Sequence, residues 1–222
     1  MRFIISELSY ETPLVAGRFH YFRNGQPTGA LESWRLTEAA EGYRFLRVDL
    51  DAREAPSGDS ALFHMVLNAL GRPERLSFRV FRPGYRLRGN VLFEQTQLTL
   101  SLEVNGERRD QELPVAAAAA FWFPATMGLS LLASLSADGS ATPVVTLDKE
   151  DDFALFSTTL AVEAGEKELL SLPAGQFEAW PRTLRWAEQE RTIWLDAEGR
   201  LLQAQRRDLV ARQTRYLSYG RA

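Results

Sequence analysis

The side chains in this chain that could do chemistry are few in kind. Histidine occurs twice, at His20 and His64, and cysteine does not occur at all. Thiolate nucleophiles, disulfides and thiolate metal sites are therefore excluded. With imidazole at two positions only, no tightly bound transition metal is expected. His64 shares strand parity with Leu62, Val66 and Asn68, so a histidine and an amide could line a polar spot in a pocket. A single histidine satisfied by the fold explains the same pattern. No metalloprotease, nucleophile-elbow, Walker or dinucleotide-binding pattern is present. None of the serines carries the local signature of an activated nucleophile. The run Asp148-Lys149-Glu150-Asp151-Asp152 could gather a hard cation on oxygen ligands. It lacks the spacing and central glycine of an EF-hand loop and reads first as a solvated turn. No residue receives a catalytic role, no enzymatic activity is expected, and no cofactor is implied.

Arginine is the other group with chemical potential. Of 26 basic residues, only Lys149 and Lys167 are lysines. A GC-rich genome explains that bias, and so would planar, bidentate recognition of carboxylate or phosphate. Arg86 and Arg88 share a strand face, as do Arg79 and Phe81, whereas the neighbours Arg206 and Arg207 point to opposite faces. An arginine lying along the outer sheet surface needs no further account. An arginine facing inward is expensive to bury unpaired, and would be a candidate for holding an anionic head group. The net charge of −3 and pI near 5.6 do not supply the basic field that phosphate neutralisation requires. No nucleic-acid partner is expected.

These groups must be positioned by strands. The 222 residues are 45% hydrophobic, enough for a real core, and the length suits one large β-rich domain over residues 1–222. Asn24-Gly25 and Asn105-Gly106 are dipeptides that two-residue hairpins prefer, because both central residues need positive φ. Arg82-Pro83-Gly84-Tyr85 suits a type II turn, and Glu163–Glu166 and Asp196–Gly199 suit tight hairpins with a glycine. Leu98, Leu100, Leu102 and Val104 alternate with Thr99, Ser101, Glu103 and Asn105, a half-buried strand with one wet face. Tyr43–Leu50 alternates less cleanly, Thr192–Leu195 and Leu201–Leu209 form a late hairpin, and Arg215–Tyr219 ends the sheet. About ten to twelve strands are expected. The N-terminal apolar run, Phe3-Ile4-Ile5, is shorter than an export signal needs, so a cytoplasmic location is expected.

Between Leu113 and Ala137 there is no charged residue. Pro114, Pro124, Gly128 and several hydroxyl residues break the stretch, and its flanks are acidic, so it does not read as a membrane span. It reads as a helix from about Ala125 to Leu135, with Pro124 just before its start and Met127, Leu131 and Leu135 on one stripe. Phe121, Trp122 and Phe123 would pack beside its first turn. An ordinary core helix covering a curved sheet is the first reading of this pattern; the functional reading is a plug or lid over a lipophilic cavity.

The string Leu170–Ala179 followed by Thr192–Leu202, of the form LPAG-F then W-D-x-x-G-x-L, resembles the C-terminal part of bacterial β-sheet families. These are similar to the LolA/LolB lipoprotein carriers and to glycolipid-binding spiral β-roll proteins. The segment Gly29–Trp34 resembles their opening strand. The resemblance implies a curved antiparallel sheet wrapped around an apolar helix and holding a lipid.

The expected fold is therefore all-β: a strongly curved antiparallel sheet, open barrel or spiral β-roll with one apolar helix on its concave face. The expected function is non-covalent binding of a lipophilic molecule. Trp34, Phe121, Trp122, Met127 and Leu131 would form the apolar wall, with His64 as the polar contact. Two rivals follow from the same residues. One is a structural or protein-interaction module with a filled core. The other is an enzyme without a recognisable motif, which requires a pocket where His64 or an acid meets a second titratable group.

Overall fold

In the computed structural model, residues 7–116, 119–148 and 153–219 are described. Asn24 and Gly25 take positive φ (49° and 79°) and join two long strands, β1 (Thr12–Arg23) and β2 (Gln26–Glu38). Six strands follow: β3 (Arg44–Ala52), β4 (Asp59–Leu67), β5 (Pro73–Arg82), β6 (Tyr85–Phe93), β7 (Gln97–Val104) and β8 (Glu107–Pro114). After these come β9 (Ala120–Trp122), a short 3-10 helix (Met127–Leu132), β10 (Asp138–Asp148), β11 (Ala154–Ala164) and β12 (Glu168–Leu172). The last four are β13 (Gly175–Trp186), β14 (Gln189–Leu195), β15 (Leu201–Arg206) and β16 (Leu209–Ser218). The strand order is β8-β7-β6-β5-β4-β3-β2-β1-β16-β15-β14-β13-β11-β10-β9, with β12 paired to β13 off this path. The sheet is open, with β8 and β9 at its ends, and mixed, because β9 runs parallel to β10.

The all-β expectation holds, with 16 strands among the described residues rather than ten to twelve. The undercount has a local cause. Positive φ falls at Ala187 (48°) in the β13–β14 turn and at Arg207 (52°) in the β15–β16 turn, residues without a turn signature. Arg207 thus lies in a turn, not on a strand face opposite Arg206. The Asn105-Gly106 and Asp196–Gly199 hairpins form as expected. Glu163–Glu166 does not: β11 pairs with β13 across the sheet instead of with β12. The Gly165 N–H donates to the Pro181 carbonyl at 2.9 Å, and a Cβ at Gly165 would lie 2.8 Å from the Pro181 ring. A glycine there permits close approach of another strand, which local sequence cannot distinguish from a turn.

The chain forms two compact units. Unit one comprises the described residues within Met1–Arg18, Gly29–Val115 and Tyr216–Ala222. Alternation puts Leu46, Val48, Phe63, Met65, Leu76, Phe78, Leu87, Val91 and Leu100 on one sheet face, all buried. Val48, Phe63 and Phe78 are successive cross-strand neighbours, and the two phenyl rings stack at 6.0 Å. Each such side chain contributes about 1.5–3 kcal/mol on burial. Arg75, Arg79, Arg86 and Arg88 are exposed on the opposite face.

Unit two comprises the described residues within Phe19–Thr28 and Ala116–Arg215. Its buried face is carried by Leu160, Val162, Leu184, Ile193, Leu195, Ala204 and Ala211. The helix expected over Ala125–Leu135 is shorter and tighter. Gly128 donates to Ala125, Leu129 to Thr126 and Ala133 to Ser130, all bonds spanning three residues. Gly128 lies against the Phe123 carbonyl, where a Cβ would come within 2.2 Å. A repeat of three stacks Leu129 on Leu132, and these two are buried. Leu131 and Leu135, placed inward by the expected repeat of 3.6, are only half-buried. Among the described residues, no helix is long and apolar enough to cross a membrane.

Candidate functional site

The proposed wall residues divide between the units. Trp34 and His64 belong to unit one and lie on opposite faces of its sheet. Trp34 is on the face of Val48 and Phe63 and meets the edge of Tyr216 at 6.2 Å. His64 is on the other face, directly across from Arg47. The side chain of Asn68 does not join it: Asn68 Oδ1 accepts from the N–H groups of Leu70 and Arg72 and shapes the β4–β5 turn. The acidic run beyond Asp148 lies outside the described residues. Among the described residues, no three His, Asp or Glu side chains gather where a metal could be held.

His64 borders a buried ion pair. Glu11 accepts from Arg47 Nη1 at 2.7 Å and Nη2 at 2.6 Å, and from Thr37 Oγ1 at 2.5 Å. The Arg47 and Glu11 side chains are 6% and 0% exposed. Burial alone would raise the Glu11 carboxyl, but the bonds from Arg47 and Thr37 outweigh it and hold the group below its ordinary value. Desolvation, with Arg47 and Arg75 nearby, pushes His64 down to about 4. The imidazole is neutral at pH 7, tilted against Phe45, and its buried Nε2 has no hydrogen-bond partner among the described residues. The nearby carboxylate, Glu11, is already engaged by Arg47 and Thr37, so the two charges neutralise each other within the fold, although Arg47 Nε, like His64 Nε2, has no hydrogen-bond partner among the described residues.

The other four residues come together in unit two. Phe121 and Trp122 form β9, in register with Val145 and Thr146 of β10, and Met127 opens the helix packed beside them. Phe121, Trp122 and Met127 are no more than 5% exposed, while Leu131 is half-buried. Trp122 meets Trp186 edge to face at 5.5 Å. The guanidinium of Arg191 stands over the Trp186 ring, 5.2 Å from its centroid. Tyr21 closes the corner through a 2.7 Å hydrogen bond between its hydroxyl and that of Thr126.

Two buried polar atoms in this corner have no hydrogen-bond partner among the described residues: Arg191 Nε and Thr146 Oγ1. Arg191 pairs with Leu184 and stands two residues from Ile193, which places it on the apolar face. Burial pulls its guanidinium down to about 10; Arg206 adds to the effect and Tyr21 opposes it. Arg182, two residues from Leu184 on the same face, is treated differently. Its Nη1 donates to the carbonyls of Ala133 and Leu135 at 2.8 and 2.9 Å, closing off the end of the helix. The reading of the sequence missed Arg191, Trp186 and Tyr21. For Arg191 the signal was present: it shares parity with Ile193 and Leu195.

The string that resembles the carrier families folds as two hairpins. Gly175 (φ 137°) begins β13 after the Pro173-Ala174 turn, and Trp194 on β14 donates its indole N–H to Glu168. No protein-family model matches the chain, and no curated protein matches it in sequence. A solved structure described as a "putative lipoprotein from Parabacteroides distasonis ATCC 8503" aligns over 93% of this chain and 96% of that one. The identity is 9% and the TM-score 0.37, a likeness too distant to carry an argument about either fold or function.

Proposed function

We propose that the protein is a non-catalytic binder of a lipophilic molecule, seated at the aromatic corner of unit two beside Trp122, Trp186, Met127 and Leu131. One observation carries this reading. Folded proteins satisfy their buried polar groups almost everywhere, yet Arg191 Nε and Thr146 Oγ1 lie without partners at this aromatic corner, and, unlike the equally unpartnered Arg47 Nε and Arg35 Nε, whose side chains have Glu11 and Glu7, Arg191 has no acid within ion-pair distance among the described residues. A group supplied from outside the chain would complete them. The apolar part of such a molecule would lie along the two indoles. That is also the use of the sheet implied by the resemblance to lipoprotein carriers and glycolipid-binding rolls.

A second reading, a filled-core interaction module, is favoured by the near-complete burial of Phe121, Trp122 and Met127 against protein alone. Titrating the full chain with dodecanol and following tryptophan emission separates the two. Saturable change that is reduced in Trp186→Phe supports binding at this corner. A flat titration, together with native mass spectrometry showing no co-purified lipid, supports the filled core and rejects the binder.

A further inference from the structure

Arginines of this protein that are drawn from water have a counter-charge or a carbonyl acceptor, even where, as at Arg35 and Arg47, the Nε itself is buried without a hydrogen-bond partner among the described residues. Arg47 has Glu11. Arg185, although half exposed, has both Glu163 and Glu190 at 2.6 and 2.8 Å. Arg182 has two carbonyl oxygens. Arg191 departs from this pattern, and it is not alone. The β14–β15 register pairs Ile193 with Ala204 and Thr192 with Gln205. One residue further along each strand, Arg191 comes opposite Arg206. By alternation both lie on the face that carries Ile193 and Ala204. Neither has a carboxylate within ion-pair distance among the described residues. Like charges opposed across two strands are unfavourable, and a desolvated guanidinium without an acceptor adds to the cost. Arg206 is exposed while Arg191 is mostly covered, so the pair runs from solvent towards the aromatic corner.

We infer that Arg191 and Arg206 receive the anionic head group of an amphiphile whose apolar chain lies along Trp186 and Trp122. This rests on the lipophilic-ligand reading and narrows it to a ligand class. A carboxylate or phosphate monoester matches the two guanidinium planes, which can each offer paired N–H donors. The Tyr21 hydroxyl, hydrogen-bonded to that of Thr126, lies close enough to bear on the Arg191 guanidinium. The anion cancels the repulsion between the two arginines and supplies the acceptor that Arg191 Nε lacks. Head group and tail are thus recognised by adjoining parts of one strand pair and its aromatic neighbours.

The test uses three probes with the same twelve-carbon chain: dodecanoate, dodecyl phosphate and dodecanol. Each is titrated below its micellar concentration into the full chain at pH 8, by calorimetry and tryptophan emission. At least one anion should bind about tenfold or more tightly than dodecanol, with the advantage shrinking at high salt. Whichever anion is preferred identifies the head group as carboxylate or phosphate. Arg191→Met should remove that advantage, so that the preferred anion binds no more tightly than dodecanol. Arg185→Met, on the outer face and already paired with acids, should preserve it. Equal binding of all three by the wild type would overturn the anionic head group while leaving a lipophilic site in place. Loss of the anion preference equally in Arg191→Met and Arg185→Met would reduce it to general surface charge and overturn the assignment. Binding of none of the three would reject the site altogether. Circular dichroism of Arg191→Met should match the wild type, so that lost binding is not lost folding.

Discussion

Arg47 and Arg191 are both arginines drawn out of water, one in each unit, and the chain treats them in opposite ways. Arg47 is gripped on two nitrogens by Glu11, with Thr37 completing the carboxylate's shell. Arg191 has a tryptophan ring below it, a second arginine across the strand and, among the described residues, no acid within ion-pair distance. A charge that the chain neutralises itself is part of the fold. On the reading proposed above, a charge left without its counterpart, on an apolar face beside two indoles, is neutralised by a ligand. Stability measurements should therefore separate the two sites, and the separation can be broken in several places.

The largest effect is expected at the closed pair. Glu11→Gln leaves Arg47 buried beside a neutral amide and should cost about 3–5 kcal/mol in urea unfolding. Because the folded Glu11 carboxyl sits below its ordinary value, its contribution is present above that ordinary range and fades as pH falls through the folded value. The mutant should lack that acid-dependent loss. If Glu11→Gln costs less than the Arg191 variants described below, the contrast between the two arginines fails.

Next in size is the backbone that shapes the aromatic corner. Gly128→Ala drives a methyl group towards the Phe123 carbonyl, which a Cβ would approach to 2.2 Å. The shift required should cost about 1–3 kcal/mol. It should also alter the near-ultraviolet circular dichroism of the adjoining tryptophans. An unchanged thermal midpoint would mean that the Phe123–Gly128 approach is not a constraint on the corner.

A smaller effect belongs to His64. Desolvation and the neighbouring arginines hold it at about 4, below its ordinary 6.5. The unfolded chain therefore takes up a proton between pH 6.5 and about 4 that the folded chain refuses. Stability should be full above that window and fall as pH drops through it, by about 1–2 kcal/mol after allowance for partial solvent screening. His64→Phe should flatten this part of the stability–pH curve, leaving the lower-pH loss that belongs to Glu11. A wild-type curve flat from pH 6.5 to 4 would contradict the neutral buried imidazole.

The smallest effect is predicted at Arg191 itself. Arg191→Met removes a guanidinium that has no acid partner among the described residues, and should change unfolding free energy by less than about 1 kcal/mol, in the stabilising direction if at all. A cost comparable to Glu11→Gln would show that Arg191 has a structural partner and belongs with Arg47.

Much of the architecture was legible in particular residues. Leu98, Leu100, Leu102 and Val104 alternate in the sequence and are all buried, while Ser101 between them is exposed. Asn24-Gly25 and Asn105-Gly106 turn with the positive φ values their types favour. Both features are local: a pleat has a period of two, and few residues tolerate positive φ. Turns at Ala187 and Arg207 were invisible because the strain there is borne by flanking strand pairing and not by residue type. The helix also illustrates the limit. The apolar run located it correctly near Met127, but whether it winds at three or 3.6 residues per turn was decided by the close passage of Gly128 over Phe123.

The candidate site divides along the same line. Sequence by itself determined a cysteine-free, arginine-rich, β-sheet protein with an uncharged aromatic segment at Phe121–Phe123, and it placed Arg191 on the parity of Ile193 and Leu195. Composition and short-range periodicity are enough for that, since neither depends on which strands become neighbours. Only the tertiary structure decided that Glu11 reaches Arg47 across 36 positions and that Tyr21 meets Thr126 across 105. It also decided that Trp122 finds Trp186, and that Arg191 lies along from the Thr192–Gln205 pair towards Arg206. Counter-charges and aromatic partners are set by strand order and register, and those are properties of the whole sheet rather than of any segment of the chain.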